Sequence, residues 1–112
     1  MVRIYHNSRC SKSRATLALL EGHDVEVVNY LDTPPDAAEL RRLLKLLGIS
    51  ARQLLRSGEA IYKELGLAEA RLDDEALIAA MAAHPILIER PIVVANGKAV
   101  VGRPPESVLA IL

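Results

Sequence analysis

Phenylalanine and tryptophan are absent from the 112 residues, and three tyrosines supply all the aromatic surface. A core without large rings must be built from small and branched aliphatic groups, and the chain offers 16 Ala and 18 Leu. Cysteine occurs once, as Cys10, which excludes an intramolecular disulfide framework and a cysteine-rich zinc site. Any thiol redox chemistry must therefore recruit a second thiol from elsewhere. Charge of one sign is also missing in excess, because fourteen basic residues face fourteen acidic ones. The broad positive field that holds nucleic acid or acidic membranes is not expected. The longest uninterrupted apolar run, Ala76 to Ala83, is too short to cross a bilayer. Arg3, Arg9, Lys12 and Arg14 stand where a signal peptide would be apolar. The expectation is a soluble cytoplasmic protein with no nucleic-acid or membrane partner.

What is present reads as one domain over residues 1–112, large enough to bury roughly two-thirds of its unfolded surface. Val2 to Tyr5 predicts a strand, and after the polar stretch His6 to Ser11 a helix begins, with Ala15, Ala18 and Leu19 on one face and Gly22 as the stop. Val25 to Leu31 predicts a second strand, ended by Thr33-Pro34-Pro35. Asp36 and Glu39 resemble a capping box ahead of the stripe Leu40, Leu43, Leu44 and Leu47, closed by Gly48. Ser50 can cap a short helix, Glu59 to Leu65 supplies another turn or two, and Asp73 or Asp74 opens a helix with Leu77, Ile78 and Met81 inside. Residues 34–84 thus form a helical insert. Asn96-Gly97 between Pro91–Ala95 and Lys98–Val101 is the signature of a β-hairpin with a two-residue turn. Pro104-Pro105-Glu106 suits the start of a closing helix with Val108, Leu109 and Leu112 facing inward. Strand, helix, strand, insert, hairpin, helix is the order of an α/β thioredoxin-like fold with a four-stranded mixed sheet.

The thiol lies where the first strand gives way to the first helix. Free backbone N–H groups and the positive end of the helix dipole there favour a thiolate, and His6, Arg9 and Arg14 are candidate cationic neighbours. The same N–H groups can bind an oxyanion. A phosphatase loop would require Arg six residues after the cysteine, where Thr16 stands, and a dithiol motif would require Cys where Ser13 stands. Both alternatives fail, and so does a self-contained thioredoxin-type reaction. His6, Cys10, His23 and His84 show no converging metal-ligand spacing.

The segment Tyr5-His6-Asn7-Ser8-Arg9-Cys10-Ser11-Lys12-Ser13-Arg14 resembles the active-site segment of the glutaredoxin-coupled arsenate reductase family. So do Leu54-Leu55-Arg56, Leu65-Gly66-Leu67-Ala68-Glu69, the run from His84-Pro85-Ile86 through Arg90-Pro91-Ile92 to Val94, and Gly102-Arg103-Pro104. These blocks keep the family's order over nearly the whole chain. The resemblance implies a cysteine, Cys10, that attacks arsenate while Arg56, Arg90 and Arg103 hold the oxyanion. It also implies that His6 helps keep the thiol ionised and that Asn7, Ser13 and Arg14 belong to the same substrate-binding loop. Ser8 stands where the family has proline, a change expected to loosen the loop while removing no reacting atom. Independently, Arg90 precedes Pro91 and Arg103 ends the hairpin at the same sheet edge, and planar guanidinium groups match tetrahedral oxyanions bidentately. Each arginine alone could equally pair with Glu59, Glu89 or Glu106.

The function expected is arsenate reduction for arsenic detoxification, with glutathione as co-substrate, glutaredoxin as partner, no metal or tightly bound cofactor, and a monomer as the default. The rival readings are a Spx-like transcription regulator, whose usual Cys-x-x-Cys switch Ser13 breaks, and a thiol oxidoreductase acting on another oxyanion or a protein thiol adduct.

Overall fold

The computed structural model describes residues 1–112, which form two compact units, one made of Met1–Thr33 with Arg90–Leu112 and the other of Pro34–Glu89.

The first unit is an α/β layer structure. Strands β1 (Val2–His6), β2 (Val25–Asn29), β3 (Ile92–Ala95) and β4 (Lys98–Val101) form one mixed sheet in the order β2-β1-β3-β4. β1 pairs parallel with β2 through helix α1 (Ser11–Leu19) and antiparallel with β3, so the strand leading to Cys10 is central. The β3–β4 hairpin turns at Asn96 and Gly97, whose φ values of 54° and 73° are the positive angles the Asn-Gly pair promised. Val2, Ile4, Leu20, Val93, Val108 and Ile111 form the core of this unit. Each such side chain stabilises the fold by roughly 1.5–3 kcal/mol.

Three details depart from the periodicity expected. Along α1 it is Ser13 and Thr16 that are buried, with no exposure, while Ala15 and Ala18 face solvent. Two hydroxyls can line a buried face because both are satisfied locally: Ser13 binds His6, and Thr16 Oγ1 donates to the Lys12 carbonyl at 2.8 Å. β2 stops at Asn29 and is an edge strand, so Val27 and Leu31 are 42% and 41% exposed, and the buried residue is Tyr30. The closing segment Pro105–Ile111 is a 3-10 helix, whose three-residue turn buries Pro105, Val108 and Ile111 and leaves Leu109 outside.

The second unit is helical. α2 (Ala37–Leu47) starts on Asp36, which accepts from Glu39 N at 2.8 Å, and ends on Gly48 in the left-handed conformation (φ 69°). α3 (Ala51–Leu54) carries a full capping box from Ser50 and Gln53. α4 spans Ala60–Glu64, and α5 (Asp74–Ala83) is capped by Asp73. α5 packs on α2 and α3, and Leu77, Ile78, Met81, Leu40, Leu43 and Leu54 are all buried. No helix of the protein is long and apolar enough to cross a membrane.

Candidate active site

The loop between β1 and α1 is fixed by its own backbone. Asn7 O accepts from Cys10 N at 3.0 Å and Asn7 Oδ1 accepts from Arg9 N at 3.0 Å, a side-chain turn that folds the chain back on itself. Cys10 is the N-cap of α1, in extended conformation, and its carbonyl starts the helix by accepting from Arg14 N at 3.0 Å. The residue is 7% exposed.

Two arginines from the other end of the sequence reach the sulfur. Arg103 Nη2 lies 3.6 Å from Cys10 Sγ, while Arg103 Nε donates to the Arg90 carbonyl at 2.9 Å. Arg90 is half-buried at the entrance to β3, and its guanidinium also bonds the sulfur. The Arg90–Pro91 and Arg103–Pro104 peptides are both cis. Burial pushes the Cys10 thiol up, but the Ser13 N–H, the Arg90 charge and hydrogen bond and the Lys12 N–H outweigh it, so the thiol titrates below its ordinary value. A thiolate stabilised by helix N–H groups and flanked by guanidinium groups is a nucleophile set beside anion-binding donors.

His6 is 6% exposed, and its Nδ1 lies 2.6 Å from Ser13 Oγ, which also accepts from Asn7 N at 3.0 Å. The Ser13 proton is then free for Nδ1, an assignment that places the ring proton of neutral His6 on Nε2. Burial first, then the positive Arg14 side chain, lowers the His6 pKa. Burial and the Arg14 charge thus favour the neutral imidazole, which bonds Ser13 within the loop. Of the other two cations in the loop, Arg9 is exposed and Arg14 Nη1 donates to the Ser8 carbonyl at 2.9 Å. A polar cleft of about 300 Å³ opens beside this loop, between His6, Asn7, Arg9, Asn29 and Asp32.

Arg56 belongs to the second unit. It pairs with Glu59 at 2.6 Å, has Glu89 at 3.9 Å, and is anchored through its N–H to the Leu87 carbonyl at 2.8 Å. The carboxylate partners that the sequence offered are thus realised at Arg56. No group of three or more His, Cys, Asp or Glu side chains converges as a metal site.

In the sequence Thr16 enters only as the residue that breaks a phosphatase spacing and Gly102 only as the neighbour of Arg103, so neither stands out as a site residue. Gly102 is buried, donates its N–H to the Pro91 carbonyl at 2.9 Å, and immediately precedes Arg103. The available signal was a glycine at the end of a strand, a common mark of close backbone approach.

Comparison with known proteins gives a consistent picture. The ArsC family model matches residues 5–111. The chain is 64% identical to YfgD, an uncharacterised protein of Escherichia coli strain K12, across 99% of this chain and 96% of that protein. It is 57% identical to an arsenate reductase of Neisseria meningitidis serogroup A, covering 99% and 97% of the two chains. The solved structure of an arsenate reductase from Vibrio cholerae superposes with a TM-score of 0.97 at 58% identity, covering 99% of this chain and 97% of that one.

Proposed function

We propose, from the premise that this chain belongs to the ArsC family, that it is an arsenate reductase, an oxidoreductase in which Cys10 is the nucleophile. The observation that carries this reading is the depressed Cys10 thiol with Arg103 Nη2 at 3.6 Å and Arg90 on the same sulfur. The thiolate attacks As(V), and an arsenate oxygen leaves as water while Arg90, Arg103 and the N–H groups of Lys12 and Ser13 take up the charge. Glutathione then displaces a second oxygen, as water, from the arsenic bound to Cys10. A glutaredoxin thiol attacks the glutathione sulfur, so that a mixed disulfide forms. The As–S bond to glutathione breaks with its electron pair left on arsenic as As(III), and water releases arsenite from Cys10. The chain has no second cysteine to do this itself.

His6, Asn7, Ser13 and Arg14 hold the loop in register for this attack. Arg56 is carried over from the family's motif as a third arginine for the oxyanion, and the Glu59 and Glu89 carboxylates around it would then set its orientation. The test is arsenite formation by the purified protein with arsenate, glutathione and glutaredoxin. Turnover that requires all three is expected; no arsenite under these conditions would overturn the assignment.

A further inference from the structure

One contact outside the reacting groups joins the two structural arms that meet on the sulfur. The first turn of α1 presents the Lys12 and Ser13 N–H groups, and the end of β4 presents Arg103. Between these arms lie Thr16 and Gly102. A Cβ built on Gly102 would stand 2.6 Å from Thr16 Oγ1, 2.9 Å from Pro91 Cγ and 3.2 Å from Thr16 Cγ2. The φ of Gly102 lies outside the left-handed region, so glycine is demanded here by space and not by backbone conformation. Thr16 cannot readily turn away, because its hydroxyl is committed to the Lys12 carbonyl at 2.8 Å. Gly102 is tethered as well, through its N–H to Pro91 O, and Arg103 N closes a tight turn over it onto Val101 O at 2.9 Å.

We propose that Thr16 and Gly102 are positioning residues, a steric spacer that sets the distance between the Arg103 guanidinium and Cys10. The inference rests on the assignment of Cys10 and Arg103 to the reacting site. It adds that their separation is fixed by a side chain and a backbone that touch neither sulfur nor substrate. A larger residue at 102 pushes β4 and Arg103 away from α1, and a smaller one at 16 lets the two arms lose register.

The test uses the pH profile of Cys10 alkylation by iodoacetamide, which needs no arsenate and stays informative even if the arsenate assignment fails. Gly102→Ala should raise the alkylation midpoint toward that of Arg103→Ala and lower kcat/KM for arsenate on the order of a hundredfold, as expected for a lost preorganised donor. The same change in an Arg103→Ala background should add less than about threefold, because the group being positioned is already gone. Adding Thr16→Ala to Gly102→Ala removes two of the three close atoms and should restore part of the loss. Should Gly102→Ala not fold, Thr16→Ala alone should still raise the midpoint in the native background and leave it unchanged in the Arg103→Ala background. A folded Gly102→Ala protein with the native midpoint, or a Gly102 or Thr16 effect of equal size with and without Arg103, would overturn the proposal.

Discussion

Helices α2 and α5 begin on a side-chain oxygen, whereas α1 has a cysteine at its N-cap and no side-chain cap. Asp36 and Asp73 accept from the third N–H of their helices at 2.8 and 2.9 Å, and acidic side chains follow in each first turn. α1 has Cys10 at the same position and no acidic residue in its first turn. The first arrangement neutralises the helix start for stability. The second leaves N–H groups and the positive end of the dipole available to a charged thiolate and an incoming oxyanion. α4 also starts without a side-chain cap or a first-turn acid, so it is the cysteine at the N-cap, with arginines beside it, that sets α1 apart.

The sharpest way to break this comparison is Cys10→Ser, which gives α1 a conventional cap. Turnover should fall to background, since the hydroxyl is a far poorer nucleophile at neutral pH. Stability in urea at about pH 6 should change by no more than about 1 kcal/mol, because serine is a favoured N-cap while the smaller contribution of the depressed thiol is lost. Retained arsenite production would place the chemistry elsewhere.

Next in size are the arginines. Ala at Arg56, Arg90 or Arg103 should each cost about a hundredfold in arsenate turnover at saturating glutathione and glutaredoxin. Arg90→Lys should also be harmful, since it keeps the charge but loses the planar fork. Exposed Arg41, paired with Glu75 at 2.8 Å, and exposed Arg42 serve as controls. If the three variants matched these controls within about threefold, less than 1 kcal/mol on the barrier scale, the anion-pocket assignment would fail.

The pH dependence tests the electrostatics directly. Iodoacetamide should alkylate Cys10 with a midpoint below about 8.5, and Arg90→Ala should raise it. Because the folded thiol titrates below its unfolded value, its contribution to stability is complete above the unfolded pKa and is lost as pH falls through the folded one. His6 has the same sign, for its lowered pKa means that folding favours the neutral ring. Its contribution is complete above the ordinary value of 6.5 and is lost as pH falls through the folded pKa. The melting temperature of the native protein should therefore fall more steeply below pH 6.5 than that of His6→Gln. Equal slopes would mean that His6 is not held neutral.

The smallest effect sharpens the other side of the comparison. Asp36→Ala should cost about 1 kcal/mol of stability by urea titration, with arsenate turnover and the Cys10 alkylation midpoint unmoved. A shifted midpoint would show that the oxygen-capped starts are not purely stabilising.

Much of the fold was legible because its instructions are local. The Asn96-Gly97 turn, the Asp36, Ser50 and Asp73 caps and the Gly48 stop each depend on a few neighbouring residues, and each is formed. The placement of Cys10 at a strand-to-helix junction was legible for the same reason. Leu109 is exposed because the closing segment turns every three residues and does not follow the 3.6-residue period that would face it inward.

The existence and order of the strands, most helix bounds, the single thiol and the types of residue around it thus follow from the sequence. Only the tertiary structure decided which face of α1 is buried, since apolar periodicity cannot register hydroxyls satisfied by His6 and by the Lys12 carbonyl. It also decided which cations act on the sulfur. His6, Arg9 and Arg14 are near in sequence, but the charge that lowers the thiol comes from Arg90, and Arg103 Nη2 stands 3.6 Å from the sulfur, both eighty and more residues away, while Arg56 is paired with glutamate. A pKa sums burial and charge over neighbours in space, and those neighbours exist only once β1, β3 and β4 have paired.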